Sequence, residues 1–233
     1  MTGQGAARRG LARLRLAWQG AAWLAKAWQG CAPAILERTD QLIMDFRLRL
    51  TGTTPLLMHS SRLANPLDPA ARELKRLNGK RQKTEEDYAA ISRAEFLGGL
   101  YYDSVVGPYI PDDNLWRALY DAAKKTKRGV KVKEGLFISS PVNPLGFSGP
   151  RDAEKLWADE NFRHFASAKV GQVRVTRCRP QFRDWTVEAD GILDTAILEL
   201  DELKQITETA GQLVGLGDWR PRFGRFTAEV EQL

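Results

Sequence analysis

Strict alternation of apolar and polar residues begins at Asp45. Phe46, Leu48 and Leu50 alternate with Arg47, Arg49 and Thr51, and that period of two predicts a half-buried strand ending at Gly52. Thr53 to Ser60 reads as a turn and a short apolar element, and 61–67 as loop. Residues 68–97 are helical in two pieces. Asp68-Pro69 opens the first with an N-cap and a proline at the first helical position. Asn78-Gly79 breaks it, and Thr84 followed by Glu85, Glu86 and Asp87 opens the second. A short strand is predicted within 97–106, then an extended turn at Gly107–Pro111. Asp112 or Asp113 caps a helix to about Thr126, with Leu115, Trp116, Leu119 and Tyr120 on its apolar face. Val130–Ser139 predicts a strand, 141–150 a loop rich in proline and glycine, and 151–166 one or two helical turns. Lys169–Phe182 alternates, Asp184 turns, and Trp185–Leu193 alternates again, which predicts a hairpin of these two strands. Leu203, Ile206, Ala210 and Leu213 give 200–213 one helical face, and a final strand covers Arg225–Val230.

Helices segregated against a mainly antiparallel sheet make an α+β domain. Without its helical insertion at about 68–97, the order fits a βαββαβ ferredoxin-like (RRM-like) sheet with helices on one face and the first and last strands pairing centrally. That domain is expected to run from 44 to 233. Residues 1–43 differ: they are rich in Ala, Gly, Arg and Trp, with no acid before Glu37 and an Ala-Trp-Gln-Gly echo at 17–20 and 27–30. An upstream extension preceding a start at Met44, a basic arm and a targeting segment are the three readings of this stretch.

Charge changes the picture mainly by its distribution. The 233 residues carry a net +6. Residues 1–43 hold six Lys/Arg and two Asp/Glu, a net +4, which leaves +2 for the other 190. The basic isoelectric point therefore does not by itself argue that the core binds nucleic acid. Two cysteines, Cys31 and Cys178, without CxxC or Cys/His clusters exclude a disulfide framework and a zinc motif. A reducing, cytoplasmic setting follows as the default. No apolar run approaches the roughly 20 residues of a membrane span. No Walker or dinucleotide fingerprint appears, and no cofactor is expected.

The candidate chemistry lies between the last helix and the last strand. Gly215, Gly217, Trp219, Arg220, Arg222, Phe223, Gly224 and Arg225 fall in one short stretch. Glycine permits positive φ and close backbone approach. Arginine offers a planar fork that fits phosphate, and aromatic rings give bases a face to stack on. A glycine cap, a tight turn and solvated arginines are the plainer reading. Two further basic groups are candidates: Lys124, Lys125, Lys127, Arg128 and Lys131, which helix-dipole complementarity also explains, and Arg174, Arg177 and Arg179 on a strand free of acids from Lys169 to Arg183. His59 and His164 are the two imidazoles, and His59 is a weak candidate for a catalytic base. Asp112-Asp113 reads more simply as a helix cap than as a metal site.

Leu50-Thr51-Gly52-Thr53-Thr54-Pro55-Leu56, the later Ile110-Pro111-Asp112-Asp113-Asn114-Leu115-Trp116-Arg117-Ala118-Leu119 and the terminal glycine-rich loop together resemble the RAMP superfamily, which includes the backbone subunits of CRISPR effector complexes. The resemblance implies that the loop before the last strand contacts RNA backbone, through Gly215, Gly217, Arg220, Arg222, Gly224 and Arg225. It implies a non-catalytic binder of single-stranded RNA or DNA, whose partners are copies of itself or other RAMP-like subunits. A RAMP-type endoribonuclease using His59 and a structural phage assembly protein are the alternatives. The short chain and the Asp-Trp-Arg-Pro-Arg-Phe loop sequence mark a divergent relative, compatible with a phage origin.

Overall fold

A computed structural model of the chain describes residues 42–170 and 173–233, with side chains described outside 168–174. The readings made above for residues 1–41, and for the Arg174 side chain, lie outside the described residues. The elements in order are β1 (Ile43–Gly52), β2 (Leu56–Leu57), α1 (Pro69–Asn78), α2 (Glu85–Gly99), β3 (Tyr102–Asp103), β4 (Gly107–Pro111), α3 (Asp112–Lys125) and α4 (Gly129–Gly135). Then follow β5 (Leu136–Ile138), β6 (Val142–Phe147), α5 (Ala153–Ala158), β7 (Arg163–Val170), β8 (Val173–Phe182), β9 (Trp185–Asp194), α6 (Leu200–Leu213) and β10 (Phe226–Gln232).

The larger sheet has the order β10-β1-β9-β6-β4-β3, with β5 beside β9. Its β10-β1-β9-β6 stretch is the strand order of a ferredoxin-like domain, with α3 and α6 as the two crossover helices. β1 and β10 pair antiparallel from Phe46 opposite Gln232 to Gly52 opposite Phe226. The alternation read in β1 has a direct cause: Phe46, Leu48 and Leu50 are buried with Val187 and Ala189 of β9 and Leu203, Ile206 and Ala210 of α6. The opposite face is polar. Arg47 makes a two-pronged pair with Asp190 at 2.7 and 2.9 Å, and Arg49 reaches Glu188 at 3.1 Å and Glu231 at 2.9 Å. The central outward positions of β1, β9 and β10 therefore hold an acid-rich ion-pair network without aromatic rings. The exposed Phe137 lies at the margin on β5, opposite Ile192. These central positions lack the aromatics on which RRM sheets stack bases.

The smaller sheet, β2-β8-β7, is built on a long hairpin in which Arg163 pairs with Pro180 and Val170 with Val173. Three expectations from the sequence are corrected here. β8 pairs with β7 and β2, whereas β9 belongs to the larger sheet. The turn at Arg183-Asp184 passes the chain from one sheet to the other, because Trp185, Val187 and Ala189 bury into the main core. The stretch 141–150 holds β6, which the prolines hid. Val142–Pro144 pair with β4 and Leu145–Phe147 with β9, so Pro144 sits where β6 changes partner and its missing N–H costs little. Residues 129–135 are helical: Val132 is buried and Lys131 reaches Glu202 on α6 at 2.7 Å, so tertiary docking overrides the β preference of the valines.

The insertion caps follow the sequence. Asp68 accepts from Ala70 N–H at 2.8 Å, and Thr84 and Asp87 form a reciprocal capping box. At α3 the N-cap is Pro111, with Asp112 and Asp113 in the first turn and no side-chain cap.

Candidate nucleic-acid interface

The loop between α6 and β10 is anchored along its backbone. Gly215 N–H donates to Ala210 O, Leu216 N–H to Gly224 O, Asp218 N–H to Leu57 O and Gly224 N–H to Pro55 O, each at 2.8 Å. Arg225 N–H donates to the Thr54 hydroxyl at 2.9 Å, and its carbonyl accepts Thr53 N–H at 2.8 Å. The loop is thus tied down on the segment that joins β1 to β2. Gly217 and Gly224 have φ of 75° and 72°. A Cβ on Gly217 would collide with the Leu57 carbonyl, and one on Gly224 with the Leu216 carbonyl. These glycines serve the anchoring, and Gly215 and Gly224 are buried.

What the loop presents outward is cationic and aromatic. Arg220, Arg222 and Arg225 are exposed, and Trp219 and Phe223 are half-buried. Arg222 lies over the Phe223 ring at 5.6 Å, and Arg225 Nε braces the Pro221 carbonyl at 2.9 Å. His164 of β7 completes an aromatic cluster, 5.7 Å from Trp219 and 5.2 Å from Phe223 between ring centres. Sequence reasoning placed His164 only among the imidazoles. Nothing in the spacing of a residue more than fifty positions upstream signals that contact.

The other basic candidates are placed differently. Arg177 pairs with Glu95, a carboxylate only 2 % exposed that also accepts Cys178 N–H at 2.9 Å. Arg179, 11 % exposed, donates to Asp218 at 2.9 Å and so joins the hairpin to the loop. Both guanidiniums are engaged in internal pairs. Burial, then the Glu95 charge, pushes the Cys178 thiol up to about 12, which keeps it protonated and unreactive. Arg128 and Lys131 share Glu202 at 3.5 and 2.7 Å, while Lys125 and Lys127 are exposed. Lys124 faces Asp121 at 3.9 Å and lies 5.4 Å from the Tyr120 ring. Asp121 also takes Arg117 at 2.9 Å and approaches Arg220 at 4.0 Å, so one carboxylate stands among three cations. Beside it Trp116 and Tyr120 stack at 5.0 Å, within 9° of parallel. That pair sits at helical i,i+4 spacing and reads in sequence as part of the apolar face. In the structure both rings are half-buried.

His59 lies in a cleft of about 160 Å³ lined by Tyr101, Asn114, Gly217 and Asp218. The cleft walls desolvate its imidazole and, with the Arg179 charge, hold it below the ordinary histidine range. Partial burial, then Arg222, does the same for His164. Both shifts disfavour the protonated form in the folded state. The unfolded chain therefore binds more protons as pH falls below about 6.5, and stability drops. Urea unfolding is expected to show lower stability at pH 5.5 than at pH 7.5. Replacing both histidines with glutamine should flatten that difference. Among the described residues no group of three or more His, Cys, Asp or Glu side chains could hold a metal ion. No helix among them is long and apolar enough to cross a membrane.

No protein-family model matches the chain, and no curated protein matches it. Among solved structures, it is similar to a chain in a cryo-EM structure of the type III-B Cmr-beta bound to cognate target RNA. The identity is 10 % and the TM-score 0.45, over 90 % of this chain and 66 % of that one. The chain thus spans just under two thirds of that neighbour's length.

Proposed function

We propose that the chain is a non-catalytic, RAMP-type binder of single-stranded RNA or DNA. The α6–β10 loop grips the backbone: Arg220, Arg222 and Arg225 meet phosphates, and Trp219, Phe223 and His164 stack on bases. The observation that carries this reading is a division of labour within the loop. Its glycines and backbone hydrogen bonds are spent on anchoring, whereas its arginines project into solvent with little internal pairing. A rigid loop holds cations in place before the strand arrives, which lowers the ordering cost of binding. Lys124 and Lys125 at the end of α3, and Lys127 just beyond it, would offer further cations to the strand. Arg177 and Arg179 act from behind, fixing the hairpin and Asp218. The protein would work in the cytoplasm, with further copies or other RAMP-like subunits lined along the strand.

Titration of a fluorescent single-stranded oligonucleotide with the full chain at rising salt tests this. Affinity should fall steeply with salt, since each neutralised phosphate releases counterions. Salt-insensitive binding, or none, sinks the proposal.

A further inference from the structure

We infer that the free edge of β10 is a docking site for an extended segment of another protein, one in which apolar residues alternate with lysine or arginine. The site is separate from the gripping loop and does not depend on its reading. β10 closes one end of the larger sheet, and β1 is its one strand neighbour among the described residues. Thr53 N–H donates to the Arg225 carbonyl at 2.8 Å and Leu233 N–H to the Asp45 carbonyl at 3.0 Å, one at each end of the β1–β10 ladder. Such bonds recur at every second residue of an antiparallel pair, so Thr227, Glu229 and Glu231 turn their backbone groups to β1. The N–H and C=O groups of Ala228, Val230 and Gln232 point the other way, along an edge that no described strand covers.

Sheet edges are ordinarily guarded by lysine, proline, a bulge or an inward-pointing charge. β10 contains no lysine or proline, and its register with β1 runs unbroken from Gln232 to Phe226. Its inward side chains are Phe226, Ala228 and Val230, which pack against the core. α6 and β10 leave between them a groove of about 540 Å³, with Lys204, Glu208 and Gln212 on one wall and Phe226, Ala228 and Val230 on the other. An adjoining groove shares Gln212 and Phe226 and is lined by Leu213, which is 55 % exposed although it is spaced with the core residues of α6. A strand laid on β10 would complete the ladder through main-chain hydrogen bonds and place every second side chain in this groove.

The opposite face of β10 decides which strand fits. Glu229 and Glu231 are exposed there. Glu231 takes Arg49 at 2.9 Å from the β1 side, and Glu229 has no ion-pair partner among the described residues. β1 already shows the pattern that β10 accepts, with Leu48 and Leu50 inward and Arg47 and Arg49 outward. A basic and apolar segment repeats that match on the free edge, since opposite charges across a strand pair stabilise it and like charges oppose it. A second copy does not fit: pairing two β10 strands over their full length sets Glu229 opposite Glu229. Lys204, the cation of the groove wall, is engaged by Asp201 at 3.1 Å on the α6 side.

Binding of a fluorescent, end-capped peptide with the β1 sequence Phe46–Thr51 to the full chain tests the site. The peptide should bind about tenfold more tightly than its Arg47→Glu/Arg49→Glu counterpart, the scale of two reversed cross-strand pairs. Ala228→Pro removes an outward N–H and no bond to β1, as proline at a sheet edge allows. It should abolish peptide binding while urea unfolding stays near wild type. Should that variant fail to fold, Glu229→Lys decides, and it should weaken the arginine peptide and strengthen the glutamate one. No binding of the arginine peptide, equal affinity for the two peptides, binding that survives Ala228→Pro, or a preference unmoved by Glu229→Lys overturns the proposal. Dimers of the wild-type chain in sedimentation that Ala228→Pro dissociates would assign the edge to a second copy and overturn it as well. The oligonucleotide titrations of the loop are independent of every one of these results.

Discussion

Gly224→Ala is expected to lower the unfolding free energy by about 2–5 kcal/mol. Two costs add. An L-residue at the φ of 72° found there costs roughly 1–2 kcal/mol. The new methyl also meets the Leu216 carbonyl, a backbone atom that cannot rotate away, and such overpacking costs about 1–3 kcal/mol more. Relief requires breaking the Leu216–Gly224 and Gly224–Pro55 hydrogen bonds, so the loop should lift from the β1–β2 segment. Urea denaturation would measure the loss. Gly79→Ala is the matched control, because Gly79 has an ordinary right-handed φ of −73° and should stay within about 1 kcal/mol of wild type. A small effect at Gly224 would mean that the loop is not held as described.

Glu95→Ala is expected to cost about 3 kcal/mol, the low end for breaking a buried ion pair. Glu95 is 2 % exposed and satisfies both the Arg177 guanidinium and the Cys178 N–H. Its loss leaves a buried amide and a largely buried cation without a partner, both on β8. Arg177 keeps 27 % of its side chain in contact with water, which moderates the penalty. Glu95→Gln retains an acceptor for one of the two and should fall between. Since α2 is tied to the hairpin through this carboxylate, nucleic-acid affinity should also drop as β7 and His164 lose their support. Chemical denaturation and oligonucleotide binding read the two effects separately. Unchanged stability in Glu95→Ala would show that the pair contributes nothing net.

Much of the framework was legible because it rests on local patterns. The period of two in β1, the Asp68 and Thr84 caps and the buried Leu203, Ile206 and Ala210 of α6 each follow from neighbours in sequence and stand as expected, whereas Leu213, read onto the same face, is exposed where the helix ends. What escaped depends on partners far along the chain. β6 is a strand only because β4 and β9 flank it in turn, and its Pro144 and Gly146 argue locally for a loop. The valines of 130–132 form a helix because α6 offers Glu202. β8 and β9 look like a hairpin until their buried faces are seen to belong to different sheets. At the candidate site, the glycines and exposed arginines could be read directly, since their residue types dictate conformation and charge. The engagement of Arg177 and Arg179 could not. Their acids, Glu95 and Asp218, lie 82 and 39 positions away. A run without acids in sequence is therefore not a run of free cations in space. The same limit applies to His164, which acquires its surroundings only through the tertiary fold.

The role of the loop is tested most directly by the slope of log affinity against log salt for a single-stranded oligonucleotide. The comparison is between wild type and the Arg220→Ala/Arg222→Ala/Arg225→Ala variant, at equal stability by urea denaturation. Each phosphate contact on a single strand contributes about 0.7 to the slope. Loss of all three arginines should therefore make it shallower by about 2, with weaker binding at low salt. An identical slope and affinity in the two proteins would contradict a phosphate grip at this loop.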